Sequence, residues 1–166
     1  MATQTLMSVE EYLHTVFEGS DREYLDGEIV ERNMGNKPHG RTQGRFVVLL
    51  SLFEEKTGIY VIPELRHKIK PTRYRIPDIA VFATEPKDNV PDHPPLVAIE
   101  VLSPDDRIGY VVPKLEEYRQ WGVAHIWAAD PDDRKLFVYG ANGLHEVEQL
   151  ELPQYSIVLT KDAIFS

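Results

Sequence analysis

The chain has 166 residues, 42% of them hydrophobic and 27% charged, and these proportions are typical of one soluble globular domain. It contains no cysteine, which excludes a disulfide framework and any cysteine-ligated zinc or redox site. Its net charge of −9 argues against a uniformly basic nucleic-acid-binding surface, because binding to phosphates depends on Lys and Arg.

The first residues show neither the basic leader nor the apolar core of a signal peptide. No apolar run approaches the roughly 18 residues that are needed to cross a bilayer. Together with the lack of cysteine, these features lead us to expect a cytoplasmic protein.

The N-terminal third of the chain predicts a helix, a hairpin and a second helix. Ser8 and Glu11 form a capping-box pattern, which indicates a short helix after Ser8. Asp26-Gly27 lies between two short apolar stretches and predicts a tight β-hairpin. Apolar residues recur at helical spacing between about residues 40 and 56.

Strands dominate the middle of the chain. Residues 59–69 and 74–83 each predict a strand, separated by a turn at 70–73, and residues 95–102 predict a third. A helix is expected over 113–121, with Pro113 in its first turn.

The C-terminal part predicts a buried strand over 124–130, then a hairpin over 135–150 and an edge strand over 155–160. Helices and strands therefore alternate irregularly along the chain. We expect an α/β or α+β fold, in which helices flank a mixed β-sheet.

One domain is expected to span residues 1–166, since no linker or repeat divides the chain. Within it we distinguish an N-terminal helix and hairpin (1–31), a central core (40–128) and a C-terminal hairpin and tail (129–166).

Basic residues are concentrated in two segments, residues 32–53 and 65–77, which contain none of the 27 acidic residues. Such segments can form a local anion-binding face on an acidic protein. The alternative, an ordinary solvated surface, stays open on charge alone. The candidate phosphate contacts are Arg41, Arg45, Lys68, Lys70 and Arg73.

Two carboxylates interrupt apolar strands. Asp78 follows Pro77 at the start of one strand, and Glu100 lies within "LVAIEVL". Side chains alternate along a strand, so Glu100 shares a face with Ala98 and Leu102. If the strands are neighbours, the two acids converge, and each then needs a cationic side chain, a shared proton or a divalent cation.

The spacing of these acids resembles the PD-(D/E)XK pattern of nucleases. Pro77-Asp78 gives the first part of the pattern and Glu100 the second. Leu102 stands where the pattern has lysine, but Lys114 at the start of the next helix could return its ammonium group to the same place.

The chain as a whole is similar to the Uma-type family of restriction endonuclease-like proteins. Seven stretches follow one another in the family order: "SVEEYL", "REYLDGEIVER", "KPHG", "RIPDIAVF", "LVAIEVLSP", "KLEEY" and "GVAHIWAADP". The resemblance covers nearly the whole chain and implies a restriction-endonuclease-like fold with a metal-dependent active site.

By this resemblance Asp78 and Glu100 would be catalytic carboxylates that bind Mg2+ or Mn2+. The carbonyl of Val101 is a natural further ligand in such a fold, and Glu23 is a candidate acid for the same site.

Lys114 would be the catalytic lysine, which acts on the attacking water and on the phosphoryl charge. His39, at the recurrent histidine of the family, and Tyr118, one turn after Lys114, are candidate accessory residues. One departure is Tyr110, which stands where family members often have an acid.

The resemblance therefore predicts a divalent-metal-dependent endonuclease that hydrolyses DNA phosphodiester bonds. Two alternatives remain open: an inactive nucleic-acid-binding or assembly module on the same fold, and a metal-dependent phosphohydrolase of small substrates. A homodimer or higher homo-oligomer is a further expectation, because the last strand offers an exposed edge.

Overall fold

The computed structural model describes residues 6–32, 35–104, 106 and 108–166. The helices of this described part are α1 (Val9–His14), α2 (Lys37–Ser51), α3 (Glu54–Thr57), α4 (Ile108–Trp121) and α5 (Lys161–Ile164), with a 3-10 turn at Pro153–Tyr155. None of the helices within it has the length and apolar character that crossing a bilayer requires.

The strands are short, between three and six residues. In chain order they are β1 (Glu23–Leu25), β2 (Glu28–Val30), β3 (Tyr60–Pro63), β4 (His67–Lys70), β5 (Arg73–Arg75), β6 (Ile79–Phe82), β7 (Val97–Val101), β8 (His125–Asp130), β9 (Lys135–Gly140), β10 (Gly143–Val147), β11 (Gln149–Leu152) and β12 (Ile157–Thr160).

These strands form three sheets. The largest has the order β10-β9-β8-β7-β6-β3, in which β7 and β8 are parallel and the other pairs antiparallel. A second, antiparallel sheet has the order β2-β1-β5-β4, and β11 pairs with β12. A mixed sheet with flanking helices confirms the predicted fold class.

The N-terminal elements form as predicted. The Ser8 side chain accepts a hydrogen bond from the Glu11 backbone, and the Glu11 carboxylate accepts one from the Ser8 backbone, so the capping box is complete. Asp26 and Gly27 join β1 to β2 with φ angles of 52° and 105°. This left-handed pair matches the twist of a tight hairpin, and Gly27 adopts it without steric cost.

The prediction of single strands over 59–69 and 74–83 is wrong, since each stretch divides between two sheets. Glu64, at φ 56°, turns the chain away after β3. Pro77, which has no N–H to donate, lies between β5 and β6. The chain therefore crosses between the sheets twice, and the second crossing leaves Asp78 directly before β6.

The prediction that α4 begins at Pro113 is also wrong, because the helix starts at Ile108 and Pro113 lies inside it. Val111 packs with Leu115 and Tyr118 against the central sheet, so the apolar stripe of the helix extends upstream of the proline. Burial of this stripe offsets the backbone hydrogen bond that Pro113 cannot donate. Lys114 consequently lies in the second turn.

The two faces of β7 bury different parts of the core. Ile99 and Val101 face a cluster that includes Phe46 of α2, whereas Ala98 faces the side that α4 covers. The alternation predicted from the sequence is confirmed, and it places Glu100 on the α4 side of the sheet.

Buried His67 connects the two main sheets. Its ring lies parallel to that of Phe82 on β6, with centroids 5.6 Å apart, and meets the edge of Trp121 at 5.9 Å. Nδ1 is 2.8 Å from the Leu65 carbonyl, and Nε2 has no partner among the described residues. Burial lowers the pKa of His67 to about 4.

We expect the free energy of unfolding to decrease on acidification because of His67. In the unfolded chain His67 takes up a proton near pH 6.5, whereas in the folded protein it does so only near pH 4. Between pH 7 and pH 5 this difference removes about 2 kcal/mol of stability. Urea titrations at both pH values should show a smaller loss in His67→Phe than in the wild type.

Exposed His145 offers the matched control, and His145→Gln should keep the wild-type dependence on pH. An equal loss of stability in wild type and His67→Phe would contradict this role of His67.

Candidate active site

Antiparallel pairing of β6 with β7 brings the two predicted carboxylates together. Ile79 lies opposite Ile99, so one further step of the register places Asp78 opposite Glu100. Both are buried, with 4% and 8% of their surface exposed. The two strands are therefore neighbours, which is the condition under which the sequence predicts that the two acids converge.

Lys114 reaches the same place from α4. Its ammonium nitrogen lies 2.8 Å from Glu23 Oε1 and 2.9 Å from Glu100 Oε1, and it donates to the Ile76 carbonyl at 3.3 Å. Burial lowers the pKa of Lys114, but the Glu100 and Glu23 carboxylates outweigh it and raise the pKa above its usual range. Lys114 is therefore protonated and links the hairpin to β7.

Of the three acids, Glu100 is the one whose pKa is raised, which disfavours its ionised form. Its Oε1 accepts hydrogen bonds from Lys114 and, at 2.7 Å, from the Tyr118 hydroxyl. Burial raises the pKa of Glu100 to about 7, and Asp78 and Glu23 raise it while Lys114 opposes them. Burial is thus the main reason why the pKa of Glu100 is raised, and Lys114 offsets it only in part.

Asp78, in contrast, is held as a carboxylate. Oδ2 accepts the backbone N–H of Val101 at 2.7 Å, and Oδ1 accepts from the Arg32 guanidinium at 2.7 Å. Burial raises its pKa, but His39, whose Nε2 is 3.4 Å from Oδ2, and Arg32 together bring the pKa below the usual value. Asp78 is thus ionised and fixed to the backbone of β7.

The His39 ring is placed by the start of α2. Asn36 caps the helix by accepting a hydrogen bond from the His39 backbone. Gly35 leaves room for the ring, since a Cβ there would lie 2.8 Å from Nδ1. The hydrogen bond to Asp78 raises the pKa of His39 against the opposing effect of burial, which favours an imidazolium beside the carboxylate.

Glu23 holds Lys114 and is itself held by three donors. Oε1 accepts from the Ile76 N–H at 2.8 Å as well as from Lys114, and Oε2 pairs with Arg75 at 2.9 Å. Burial raises the pKa of Glu23, but Lys114 and Arg75 lower it below the usual value. Arg75 also pairs with Glu117, and Glu117 pairs in turn with Arg73. Side chains of alternating charge therefore form a continuous series of ion pairs from the surface to Glu100.

A cleft of about 510 Å³ opens over these groups. Its lining has a polar part, called the floor, and an apolar part, called the wall, and both β1 and α4 contribute to each. The floor consists of Glu23, Arg32, His39, Arg75, Asp78, Glu100 and Lys114, and the wall includes Leu25, Val30, Leu102, Tyr110, Val111 and Pro113.

The structure brings most of the predicted site residues to this cleft. Glu23, His39, Asp78, Glu100, Val101 and Lys114 line it, while Tyr118 contacts Glu100 from the buried side. Two residues of the floor, Arg32 and Arg75, were not among the predicted site residues. Both arginines lie in the basic segments, residues 32–53 and 65–77, but no local sequence signal indicates the pairing of Arg75 with Glu23 or of Arg32 with Asp78.

The predicted phosphate contacts lie elsewhere. Arg41 and Arg45 donate to the carbonyls of Ser166 and Ala163 at the C-terminus. Arg73 pairs with Asp26 and Glu117. Lys68 and Lys70 lie on β4 and, like these three arginines, are not part of the cleft lining.

The donor set of the cleft fits a hard divalent cation. Two buried carboxylates at the facing ends of adjacent strands are the ligands that Mg2+ uses when waters or phosphate oxygens complete its shell. Across the described residues, no group of three or more acidic or histidine side chains is placed to bind a metal together. Glu23 pairs with Lys114 and Arg75, and its role as a metal ligand stays a prediction.

Comparison with known proteins agrees with this architecture. The model of the Uma2 family, described as "Putative restriction endonuclease", matches residues 9–162. The fold is similar to a crystal structure described as "a putative nuclease belonging to DUF820 from Anabaena variabilis", with a TM-score of 0.81, 22% identity, and coverage of 96% of this chain and 97% of that one. Among curated proteins, none matches the chain significantly.

Removing the ammonium group of Lys114 should destabilise the fold. In Lys114→Met, the buried carboxylates of Glu23 and Glu100 lose their shared cation, and we expect a loss of about 3 kcal/mol at pH 7. Adding Glu100→Gln should recover part of this loss, because it removes one of the uncompensated charges. Urea titration measures both.

Lys161 provides the comparison, since it pairs with exposed Glu146 and Glu148. Lys161→Met should change the free energy of unfolding by less than about 0.5 kcal/mol. The bridging role of Lys114 is wrong if Lys114→Met costs no more than Lys161→Met.

Proposed function

The chain belongs to the Uma2 family, and on that premise we propose that its cleft is the active site of a divalent-metal-dependent endonuclease acting on DNA phosphodiester bonds. One observation carries the proposal: the buried carboxylates of Asp78, directly before β6, and Glu100, on adjacent β7, share a cleft with Lys114, whose side chain is 15% exposed and whose raised pKa keeps it protonated. The family description supports a nuclease, and the donor set supports Mg2+ or Mn2+.

Asp78 and Glu100 would hold the metal, with the Val101 carbonyl as a further ligand. A cation bound there supplies Lewis-acid polarisation of the phosphodiester and lowers the pKa of a bound water. Asp78 is prepared for this role, because the Val101 N–H fixes one carboxylate oxygen in place. Glu100, with its pKa of about 7, loses its proton near neutral pH, so both ligands are anionic under mildly basic conditions.

Lys114 contributes positive charge. Because its pKa is raised, it retains its proton, which favours stabilisation of the phosphoryl oxygens over the role of a general base. Glu23 acts through Lys114: it orients the ammonium group toward the cleft and is itself fixed by the Ile76 N–H. Glu23 is in this account a positioning residue.

The phosphate contacts predicted from sequence lie outside the cleft floor. These predicted contacts are Lys68 and Lys70 on β4 together with Arg41, Arg45 and Arg73, and they stay predictions. Homodimerisation also stays a prediction; the exposed Val158 on β12, 49% accessible, marks the strand edge that would take part. The cytoplasmic location likewise remains an expectation from sequence.

One observation favours the alternative of an inactive module on the same fold. Each of the three buried acids already contacts a cationic side chain of the protein, as the pairs of Glu23 with Arg75, Asp78 with Arg32 and Glu100 with Lys114 show. In such a site the charges of the buried acids are balanced by cationic side chains of the protein, without a metal. The two functions differ in whether DNA is cleaved when Mg2+ or Mn2+ is supplied.

We expect the wild-type protein to nick or linearise supercoiled plasmid DNA in Mg2+ or Mn2+ and not in EDTA. Asp78→Asn keeps the size of the side chain but removes its charge, and should lower the rate by at least about a hundredfold. Agarose-gel time courses measure this. Circular dichroism confirms that the variant remains folded.

Asp88, exposed on the loop before β7, is the matched control, and Asp88→Asn should cleave at the wild-type rate. Equal cleavage by Asp78→Asn would overturn the proposed site. Folded wild-type protein that cleaves no DNA with either metal would overturn the nuclease function in favour of the inactive module.

A further inference from the structure

Tyr110 is the most exposed large aromatic side chain of the cleft, with 78% of its surface accessible. An isolated exposed tyrosine is common on protein surfaces, but this one lies on the wall of the candidate active site. A ligand bound in the cleft would therefore be within reach of this aromatic ring as well as of the polar floor.

A row of side chains along α4 connects Tyr110 to the acids. Tyr110, Lys114 and Tyr118 are four residues apart in turn, so they lie on one face of the helix. Tyr118 donates its hydroxyl hydrogen to Glu100, and Lys114 bridges Glu100 and Glu23. Tyr110 is the next step of this row toward the cleft mouth, about 6 Å along the helix axis from Lys114.

Apolar side chains line the same cleft. Leu25 and Val30 of the hairpin contribute to the cleft wall, as do Val111 and Pro113 of α4. The volume of about 510 Å³ is in the usual range for pockets that enclose a small organic group. A flat, apolar ring can therefore lie against Tyr110 while an attached phosphate faces Lys114.

The charges of the cleft argue against the backbone of a duplex as its occupant. Every cationic side chain in the described lining already contacts an acid: Arg32, His39, Arg75 and Lys114. Binding of duplex DNA depends on Lys and Arg that replace counterions at many phosphates. Single strands are bound in good part by stacking of bases on aromatic side chains, which needs fewer free charges.

We propose that the cleft binds an unpaired nucleotide, with its base stacked on Tyr110 and its phosphate directed to the floor at Lys114, Asp78 and Glu100. This inference rests on the proposed nuclease function and assigns the substrate class as single-stranded or locally unpaired DNA. A free nucleotide has the same chemistry and is the second source that the experiment must distinguish.

The test measures binding without catalysis. Fluorescence anisotropy in EDTA compares a short labelled single strand with a duplex of the same sequence, and a deoxynucleoside monophosphate serves as competitor. We expect the wild type to bind the single strand more tightly than the duplex. Tyr110→Ala should weaken binding to the single strand about tenfold, and Tyr110→Phe should retain it.

Tyr60 is the matched control, because it is 38% exposed on β3 and does not line the cleft. Tyr60→Ala should bind as the wild type does. Equal binding by Tyr110→Ala and wild type, or binding to duplex as tight as to the single strand, overturns the inference. A monophosphate that competes as well as the strand supports the stacking site and assigns it to free nucleotides.

The outcomes separate this inference from the nuclease proposal. Tyr110-dependent binding of the single strand, without cleavage in any metal, supports the stacking site and overturns the nuclease function. The opposite outcome is metal-dependent cleavage of duplex DNA at the same rate in Tyr110→Ala as in the wild type. It supports the nuclease function and overturns the inference about the substrate.

Discussion

The shared contact of Lys114 with Glu23 and Glu100 is the interaction on which this site depends. It joins the N-terminal hairpin, β7 and α4 at one buried nitrogen atom. Three buried acids in one region would otherwise repel each other and take up protons. Lys114 lowers the pKa of Glu23 below its usual value, whereas the pKa of Glu100 is raised to about 7 even with Lys114 beside it.

The crossing of the chain between two sheets explains why these groups meet. Pro77 separates β5 from β6, so Arg75 stays with the hairpin sheet while Asp78 joins the central sheet next to Glu100. The ion pair of Asp78 with Arg32, and the contacts of Lys114 with Glu23 and Glu100, then connect the two sheets. The elements that carry the candidate chemistry are thus the same elements that hold the two sheets together.

Local signals predicted the parts of the fold that depend on neighbours in sequence. The capping box at Ser8, the hairpin at Gly27 and the alternation around Glu100 all form as expected. Lys114 was identified only through the family resemblance, since its spacing from Glu100 carries no local pattern. Other features depend on packing between segments that are distant in sequence, and a single sequence does not predict such packing. They are the division of residues 59–69 between two sheets, the extra turn of α4 and the contact of Arg32 with Asp78.

The central claim is that Asp78 and Glu100 together bind a divalent cation beside Lys114. A crystal of the wild-type protein grown at mildly basic pH and soaked in Mn2+ tests it through an anomalous difference map. The account predicts one strong peak within bonding distance of both carboxylates, and no peak at that position in Glu100→Gln. A map without density between the two acids, or a peak that persists unchanged in Glu100→Gln, would contradict it.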